Sequence, residues 1–440
     1  MSNFGDDEVA RQKIEKAALL EKNAKEPVEL VVFLRDRAGV YFHLEDGHTV
    51  RSDELLELVI DEQGLPPEAK EVFSLWFVSP ILDIRLKGHH QPFQIIQQWD
   101  QLCALYTDAK NEEIRDAEPV LMLQRDVFYP KDQEVFVTNE QMLCLLYHEA
   151  KFNVVQGRYA LYTEDYHRLA GLQALIHLGK YSTQTHVLAD YRSNLTQFYP
   201  EHMYVKERFL FFARTKPHAR DCEDLFMEAH KRVSEEYGDR DVEHALSILY
   251  RKYLEVCWTY PFYGAAFFSG RVQTPTGRFK KIILPSPDTE VWVAINTECV
   301  TVIDRTKSEL LLSIPFSELS WEFRDPDFDG DNDPPPCLFL QFLINDKLEA
   351  VEGEATGSGE GVPGGAPLTK LLKVFSREAK LMDALIETCV NRKLYQRQRS
   401  PGIDVVDSGL FDSSRRNVMN KLERFCLSTY TKDGQVLDVK

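Results

Sequence analysis

The stretch 138–181 most constrains the fold, because it carries two successive apolar patterns with helical spacing. Thr138 and Gln141 stand at the two positions of a capping box, which predicts a helix with Thr138 as its N-cap. Gly157 predicts the end of this helix in a left-handed conformation, and Gly179 ends a second helix. Two amphipathic helices cannot bury their apolar faces against each other alone. Further helices are therefore expected to pack on them.

Length and composition exclude several classes of protein. A chain of 440 residues is too long for one core and predicts two to four domains. No run of about 18 apolar residues and no charged-then-apolar leader occurs, which predicts a cytoplasmic protein that neither spans a membrane nor is secreted. The eight cysteines are scattered without a CxxC pair. They are predicted to be buried thiols in a reducing compartment and not disulfides or zinc ligands.

Charge is distributed unevenly along the chain. The net charge of −18 argues against general nucleic-acid binding, and half of it falls in residues 325–360. Residues 370–399 are basic instead, and we expect this charge to lie on one helical element that could contact anionic lipid. The candidate lipid contacts are Lys370, Lys373, Arg392, Lys393, Arg397 and Arg399, with Arg377 and Lys380 adding to the same charge.

The first two-thirds of the chain divides into two regions by periodicity. After a flexible N-terminal segment (1–27), a hairpin, a helix and further strands predict a ubiquitin-like lobe over 28–106. The polar stretch 107–119 is typical of a linker. Residues 120–258 carry five helical patterns, enough to close the core of a helical lobe.

Beyond residue 258 the apolar period switches towards two. Residues 259–397 predict an antiparallel sandwich closed by one long helix, the architecture of pleckstrin-homology (PH) and phosphotyrosine-binding (PTB) domains. Two inserts, 325–336 and 346–367, are rich in acidic residues, proline or glycine and are predicted to be disordered. Residues 398–440 are expected to form a C-terminal tail.

Six short segments, in the order of the three lobes, resemble the FERM domain family. They are Val155–Tyr159, Leu172–Tyr181, Pro261–Phe268, Val291–Asn296, Ile314–Leu319 and Cys389–Asn391. The resemblance covers roughly 28–397, and within the family it is to the Bili-type adaptors. It implies an α+β multidomain fold, the three-lobed FERM cloverleaf. The lobes are ubiquitin-like, helical like acyl-CoA-binding protein, and a PH/PTB-like sandwich closed by a helix.

The resemblance also implies a function. Bili-type adaptors are non-catalytic, need no cofactor and act at the cytosolic face of membranes, where they bind, stabilise or scaffold cytoplasmic tails of membrane proteins. Inactive rhomboids of the sheddase pathway or Wnt co-receptors are the implied tail donors. The chain lacks the long coiled coil and actin-binding tail of ezrin-like members. A phosphoinositide or anionic-lipid sensor, a membrane–cytoskeleton linker and, more remotely, an unrecognised enzyme stay open as alternatives.

The PH/PTB-like lobe supplies a candidate peptide site. In such domains an incoming strand pairs with the sheet edge and rests against the closing helix. The expected edge is Leu319, Ser320, Trp321, Glu322, Phe323 and Arg324. The expected helix face is drawn from Arg377, Lys380, Leu381, Ala384 and Thr388.

Other chemical motifs are weak. Residues 325–330 imitate the first half of an EF-hand loop, but Pro336 stands where a bidentate glutamate is needed. The glycines of 357–361 lack the strand-to-helix context of a dinucleotide loop. His89 and His90 have no companion ligands nearby in sequence. The sequence therefore predicts no catalytic residue, no metal site and no cofactor.

Overall fold

The structure, a computed structural model, describes most of the chain in two compact units. The described residues are 27–45, 47–205, 219–238, 242–273, 288–325, 335–344, 368–399, 428–430 and 436–439. The first unit is Met1–Tyr129 with Gln133–Glu149, and the second is Pro130–Asp132 with Ala150–Lys440. The predicted flexible segment 1–27 (apart from Pro27), most of the insert 325–336 and all of 346–367 lie outside the described residues. No described helix is long and apolar enough to cross a bilayer.

The first unit contains a five-stranded mixed sheet in the order β2-β1-β5-β3-β4, the strand order of a ubiquitin-like lobe. Strands β1 and β2 form the predicted hairpin, and β1 runs parallel to β5, with Phe33 opposite Met122. The strands are β1 (Val28–Phe33), β2 (Gly39–Leu44), β3 (Phe73–Val78), β4 (Asp83–Arg85) and β5 (Val120–Arg125).

Strand β5 differs from the sequence-based boundary, which placed residue 120 at the start of the helical lobe. It lies between β1 and β3, inside the first sheet. Leu121 and Leu123 are buried on one side of it, and Gln124 and Arg125 are buried as well. The strand is too short and too polar at its end for periodicity to assign it to the lobe that precedes it.

Five helices accompany this sheet among the described residues of the unit. They are α1 (Ser52–Glu62), α2 (Ala69–Val72), α3 (Pro92–Gln97), α4 (Trp99–Tyr106) and α5 (Asn111–Asp116). Helix α5 lies inside the stretch 107–119 that was expected to be a linker. Ile114 is buried there, and the Trp99 indole N–H donates to the Ala117 carbonyl at 3.0 Å. One buried isoleucine and one tryptophan hydrogen bond thus hold a polar segment against the lobe.

Seven described helices follow, in the region predicted to be helical. They are α6 (Lys131–Glu134), α7 (Glu140–Val155), α8 (Thr163–Leu178), α9 (Leu188–Phe198), α10 (Glu201–Tyr204), α11 (Ala219–Tyr237) and α12 (Val242–Trp258). Asn139 and not Thr138 caps α7, because its side-chain oxygen accepts the Met142 N–H at 3.0 Å. Gly157 has φ of 68°, as predicted for the residue that ends this helix.

Helices α8 and α11 approach each other very closely at Gly171. A Cβ at this glycine would lie 2.7 Å from the carbonyl oxygen of Ala229 in α11. Since real Cβ atoms do not come that near to backbone atoms, glycine is required for this helix–helix distance.

The second sheet is antiparallel throughout and has the order β10-β11-β12-β6-β7-β8-β9, with β13 paired to β12 and β14 paired to β13. Helix α13 (Ala379–Arg399) packs on it through Ala379, Met382 and Ile386, all fully buried. This is the predicted PH/PTB-like sandwich with its closing helix. The strands are β6 (Ala266–Val272), β7 (Thr289–Ile295), β8 (Cys299–Asp304), β9 (Glu309–Pro315), β10 (Leu319–Arg324), β11 (Cys337–Ile344), β12 (Leu368–Phe375), β13 (Ser428–Tyr430) and β14 (Val436–Val439).

Within the second unit, a seam of aromatic residues joins the helical part to the sandwich. The Tyr260 hydroxyl donates to Asp165 at 2.5 Å, and the Tyr166 hydroxyl lies 3.3 Å from Ser308 Oγ. Burial raises the pKa of Tyr166 to about 12, so this hydroxyl stays protonated. Ring contacts complete the seam and join Tyr159 to Phe262, Tyr263 and Phe267.

Candidate peptide-binding groove

Strand β10 is the terminal strand of the second sheet. Its backbone pairs on one side with β11, from Leu319 opposite Phe342 to Arg324 opposite Cys337. No described strand pairs with its other side. Among the described residues, one side of this six-residue strand is therefore unpaired.

The side chains of β10 alternate between two environments. Leu319 is buried, and Trp321 and Phe323 are half-buried on the face that carries α13. Ser320, Glu322 and Arg324 are exposed on the opposite face, which is why the sequence has the pattern of a half-buried strand. The two partly covered aromatic rings give the groove its apolar floor.

One hydrogen bond fixes the rotation of α13 relative to this edge. The Trp321 indole N–H donates to Asp383 Oδ1 at 3.0 Å. Asp383 therefore marks the flank of the helix that faces β10. At about 100° per residue, Glu387, Val390 and Leu394 follow on the same flank, within about 40° of Asp383.

The helix residues expected from the sequence do not all lie on that flank. Leu381 and Thr388 stand about 160° and 140° around the helix from Asp383, and Ala384 about 100°. Leu381 is half-buried, whereas Ala384 and Thr388 are exposed. The sequence offered no signal for the rotation, because it depends on a tertiary contact of Trp321.

The two basic residues of the predicted helix face lie near its beginning. Arg377 is exposed in the turn before α13, and Lys380 is the second residue of the helix and exposed. Lys380 stands about 60° around the helix from Asp383, close to the flank that faces β10. The exposed flank thus presents a cation first, then the carboxylate of Glu387, then the half-exposed side chain of Leu394.

The candidate lipid contacts are not on one element, which corrects the expectation of a single basic helix. Lys370 and Lys373 belong to β12, and their odd spacing sends them to opposite faces of that strand. Arg392 is exposed and Lys393 half-buried on α13, and Arg397 and Arg399 lie in its last turn. The six residues therefore do not form one continuous basic face.

Part of the basic charge packs on an aromatic ring. The Lys373 ammonium lies 5.7 Å, and the Arg324 guanidinium 5.1 Å, from the centre of the Phe339 ring. Arg324 also lies 3.5 Å from the carboxylate of Glu322. These contacts belong to the face of the sheet opposite α13. They are exposed cation–π and ion-pair contacts of modest energy.

Burial acts in the same direction on the pKa of the thiols of three described cysteines. Burial raises the pKa of the Cys103 and Cys337 thiols to about 11 and that of Cys222 to about 12, which is the reverse of an activated nucleophile. A cavity of about 370 Å³ between α8 and α11 has mixed charges, with Glu164, Asp165 and Glu236 near Arg168 and Arg232. It lies on the helical lobe and not at the groove.

The weak motifs gain no support from the described residues. Within them, no group of three or more His, Cys, Asp or Glu side chains could hold a metal ion. His90 accepts the Lys87 N–H at 3.3 Å, and burial with neighbouring positive groups lowers its pKa. The glycine loop 357–361 and all but the first residue of the acidic loop 325–330 fall outside the described residues.

Comparison with protein families places two of the three lobes directly. Residues 132–268 match the FERM central domain, and residues 289–385 match the KRIT1/FRMD8 FERM domain C-lobe. Among solved structures, the human Myosin 7b C-terminal MyTH4-FERM domain in complex with the harmonin-a PDZ3 domain shares the fold, with a TM-score of 0.52 at 16% identity. That similarity covers 85% of this chain and 62% of the other.

Whole-chain relatives agree with the domain matches. FERM domain-containing protein 8 of Xenopus tropicalis is 33% identical over 417 residues, covering 92% of this chain and 86% of the relative. The Homo sapiens protein of the same name is 35% identical over 364 residues, covering 82% and 73%. With the two sheets and the closing helix of the fold, these similarities confirm the resemblance to FERM adaptors. The chain belongs to the FERM domain-containing protein 8 family of protein-binding adaptors.

Proposed function

We propose that this chain is a non-catalytic adaptor that takes an extended segment of a membrane protein's cytoplasmic tail into the groove between β10 and α13. The observation that carries the proposal is the unpaired side of β10 beside the half-buried rings of Trp321 and Phe323. An added strand forms main-chain hydrogen bonds with such an edge, and every second side chain of that strand enters the apolar groove.

The flank of α13 sets the chemistry of the bound segment. Asp383 is engaged by Trp321, whereas Glu387 is exposed and has no ion-pair partner among the described residues. Leu394 offers an apolar surface about two turns further along, with half of its side chain exposed. A segment with apolar residues at alternate positions and a basic residue opposite Glu387 fits this arrangement.

The tail donors are proposed from the resemblance to Bili-type adaptors. Inactive rhomboids of the sheddase pathway and Wnt co-receptors are the tail donors that we propose, with the adaptor held at the cytosolic face of the membrane by the tail it binds. Binding would stabilise the tail by mass action, because it lowers the fraction of tail molecules whose segment is unbound.

The test is binding of tail peptides measured by fluorescence anisotropy. Glu387→Arg places a cation in the groove and should weaken binding at least tenfold, equivalent to about 1.4 kcal/mol. Glu322→Arg makes the same charge change on the opposite face of β10 and should leave binding within about twofold.

A second variant tests the backbone. Ser320→Pro removes an N–H from β10 and should abolish strand addition. Circular dichroism and the thermal transition of the variant must match those of the wild type. Tail binding that survives both Ser320→Pro and Glu387→Arg in folded protein would show that another surface carries the partner.

An anionic-lipid sensor is the second candidate, favoured by the adjacent Arg392 and Lys393 near the end of α13. Charge reversal of both residues should lower sedimentation with vesicles containing phosphatidylserine at low salt, if lipid is bound there. Unchanged sedimentation would leave membrane recruitment to the protein tail alone.

A further inference from the structure

The end of the chain folds back onto the sandwich. Strands β13 and β14 pair with each other, with Ser428 opposite Val439 and Thr429 opposite Asp438. Strand β13 also pairs antiparallel with β12, where Thr369 faces Tyr430, Lys370 faces Thr429 and Leu371 faces Ser428. We call β13 and β14 together the C-terminal hairpin.

The hairpin occupies a particular stretch of β12. On one side β12 pairs with β11 along its whole length. On the other side β6 meets it only at Phe375, opposite Arg271. Strand β6 does not pair with Thr369–Leu371, which leaves the backbone of that stretch available to another strand. In this structure β13 fills that position.

We propose that the edge Thr369–Leu371 is a strand-docking surface whose ligand is the chain's own C-terminal hairpin, so that the hairpin is a separable intramolecular peptide and not part of the sandwich core. Three residue pairs join it to β12, compared with eight between β12 and β11. The sandwich keeps its buried residues Leu372 and Val374, its β11 ladder and α13 without it.

The sequence supports a self-contained hairpin. Residues 431–435 lie between the two strands in the sequence and include Asp433-Gly434, a pair that favours hairpin turns. Residues 400–427 connect the hairpin to α13, so the ligand and its edge belong to one chain. Attachment gives the hairpin a high effective concentration at the edge, and a free segment in solution must compete against it.

The docking surface is distinct from the groove at β10. Strand β11 lies between β10 and β12 in the sheet order, so the two edges are on different strands. Failure of tail binding at β10 would leave this proposal intact, and the reverse also holds.

The test uses a synthetic peptide of residues 427–440 with an added fluorophore and two forms of the protein. The full chain should bind the peptide at least tenfold more weakly than a chain that ends at Phe425, because its own hairpin fills the edge. Hydrogen exchange at 369–371 should be faster in the shortened chain and should slow again when the peptide is added. Protection of β10 and β11 shows that the shortened chain is folded.

Proline variants give a second route that keeps the full length. Thr429 lies in β13, between β12 and β14, so Thr429→Pro removes an N–H from the hairpin whichever neighbour it faces. The full chain with this change should bind the peptide as tightly as the shortened chain, and the control Ser413→Pro should not. Equal peptide affinity of the intact and shortened chains, or no binding by either, overturns the proposal.

Discussion

Glu134→Ala tests whether a buried ion pair holds the first unit together. The Glu134 carboxylate accepts from Arg125 Nε at 2.5 Å, and both side chains are almost completely buried. Arg125 also donates to the carbonyls of Asp126 at 3.0 Å and Tyr129 at 2.7 Å. Its backbone N–H donates to the buried carboxylate of Glu149 at 2.6 Å.

The magnitude follows from the environment of the guanidinium. Removing Glu134 leaves the guanidinium charge in a buried site, where Arg125 still donates to two backbone carbonyls. Breaking a buried pair in this way costs about 3–5 kcal/mol. Glu149 offsets little of this loss, because burial raises its pKa and so disfavours its charged form.

Two further variants separate charge from packing. Replacing both members, as Arg125→Met with Glu134→Leu, should recover most of the lost stability, since apolar residues of similar volume remove both charges together. Glu57→Ala deletes the carboxylate of an exposed pair with Lys70, at 4.0 Å, and should change the free energy of unfolding by less than about 0.5 kcal/mol.

The assay is urea unfolding, with hydrogen exchange of the β3 amides as the probe, because β3 belongs to the first unit. With a slope of about 2 kcal/mol per molar urea, Glu134→Ala should lower the midpoint by about 1.5–2.5 M. A loss below about 1 kcal/mol would show that water solvates the guanidinium. A double variant as unstable as Glu134→Ala would show that side-chain shape and not charge sets the effect.

Three other predictions concern the second unit, and the first of them has a control in the first unit. Gly171→Ala should destabilise the second unit by about 1–3 kcal/mol in thermal unfolding, although alanine has the better helix propensity, because the added Cβ clashes with α11. Gly64→Ala is the control in the first unit. Gly64 has φ of 61° with open space around it, so this change should cost only about 1–2 kcal/mol of backbone strain. Burial of His230 lowers its pKa below the ordinary 6.5, so stability should be fully present above pH 6.5 and fall as the pH drops below it. His230→Asn should flatten this dependence in urea titrations from about pH 7 to about pH 5. Asp383→Ala should speed hydrogen exchange in β10 by breaking the bond to Trp321, and Asp383→Asn, which keeps an acceptor, should not.

Much of the fold could be predicted because apolar periodicity carries it. The alternation of Leu319–Arg324 predicted the edge strand at its observed bounds, and the switch towards period two beyond residue 258 predicted the antiparallel strands of the sandwich. These strands each have one face against a buried core, which imposes period two on the sequence.

The features of the fold and of the candidate site that could not be predicted depend on contacts between distant residues or on the path of the backbone. The buried stripe of α13 identifies the side that packs on the sheet, but the flank that faces β10 is set by the Trp321–Asp383 hydrogen bond. Thr138 and Asn139 are adjacent residues of types that both cap helices well, and only the backbone path selects Asn139. Pairing of Ser428–Tyr430 with β12 joins segments far apart in the chain, and local pattern does not report such pairing.

The aromatic seam of the second unit limits how the protein can be divided. Phe262 is fully buried and Tyr263 nearly so, although both follow directly on the last helix of the helical lobe. A fragment that starts at residue 259 would lose Tyr159, Asp165 and Tyr166 and present an aggregation-prone aromatic surface to solvent. The smallest fragment that keeps this seam buried is therefore the helical lobe together with the sandwich. Substitutions of Asp165 or Tyr166 in α8 should accordingly disturb the sandwich through this seam, although both residues belong to the helical lobe.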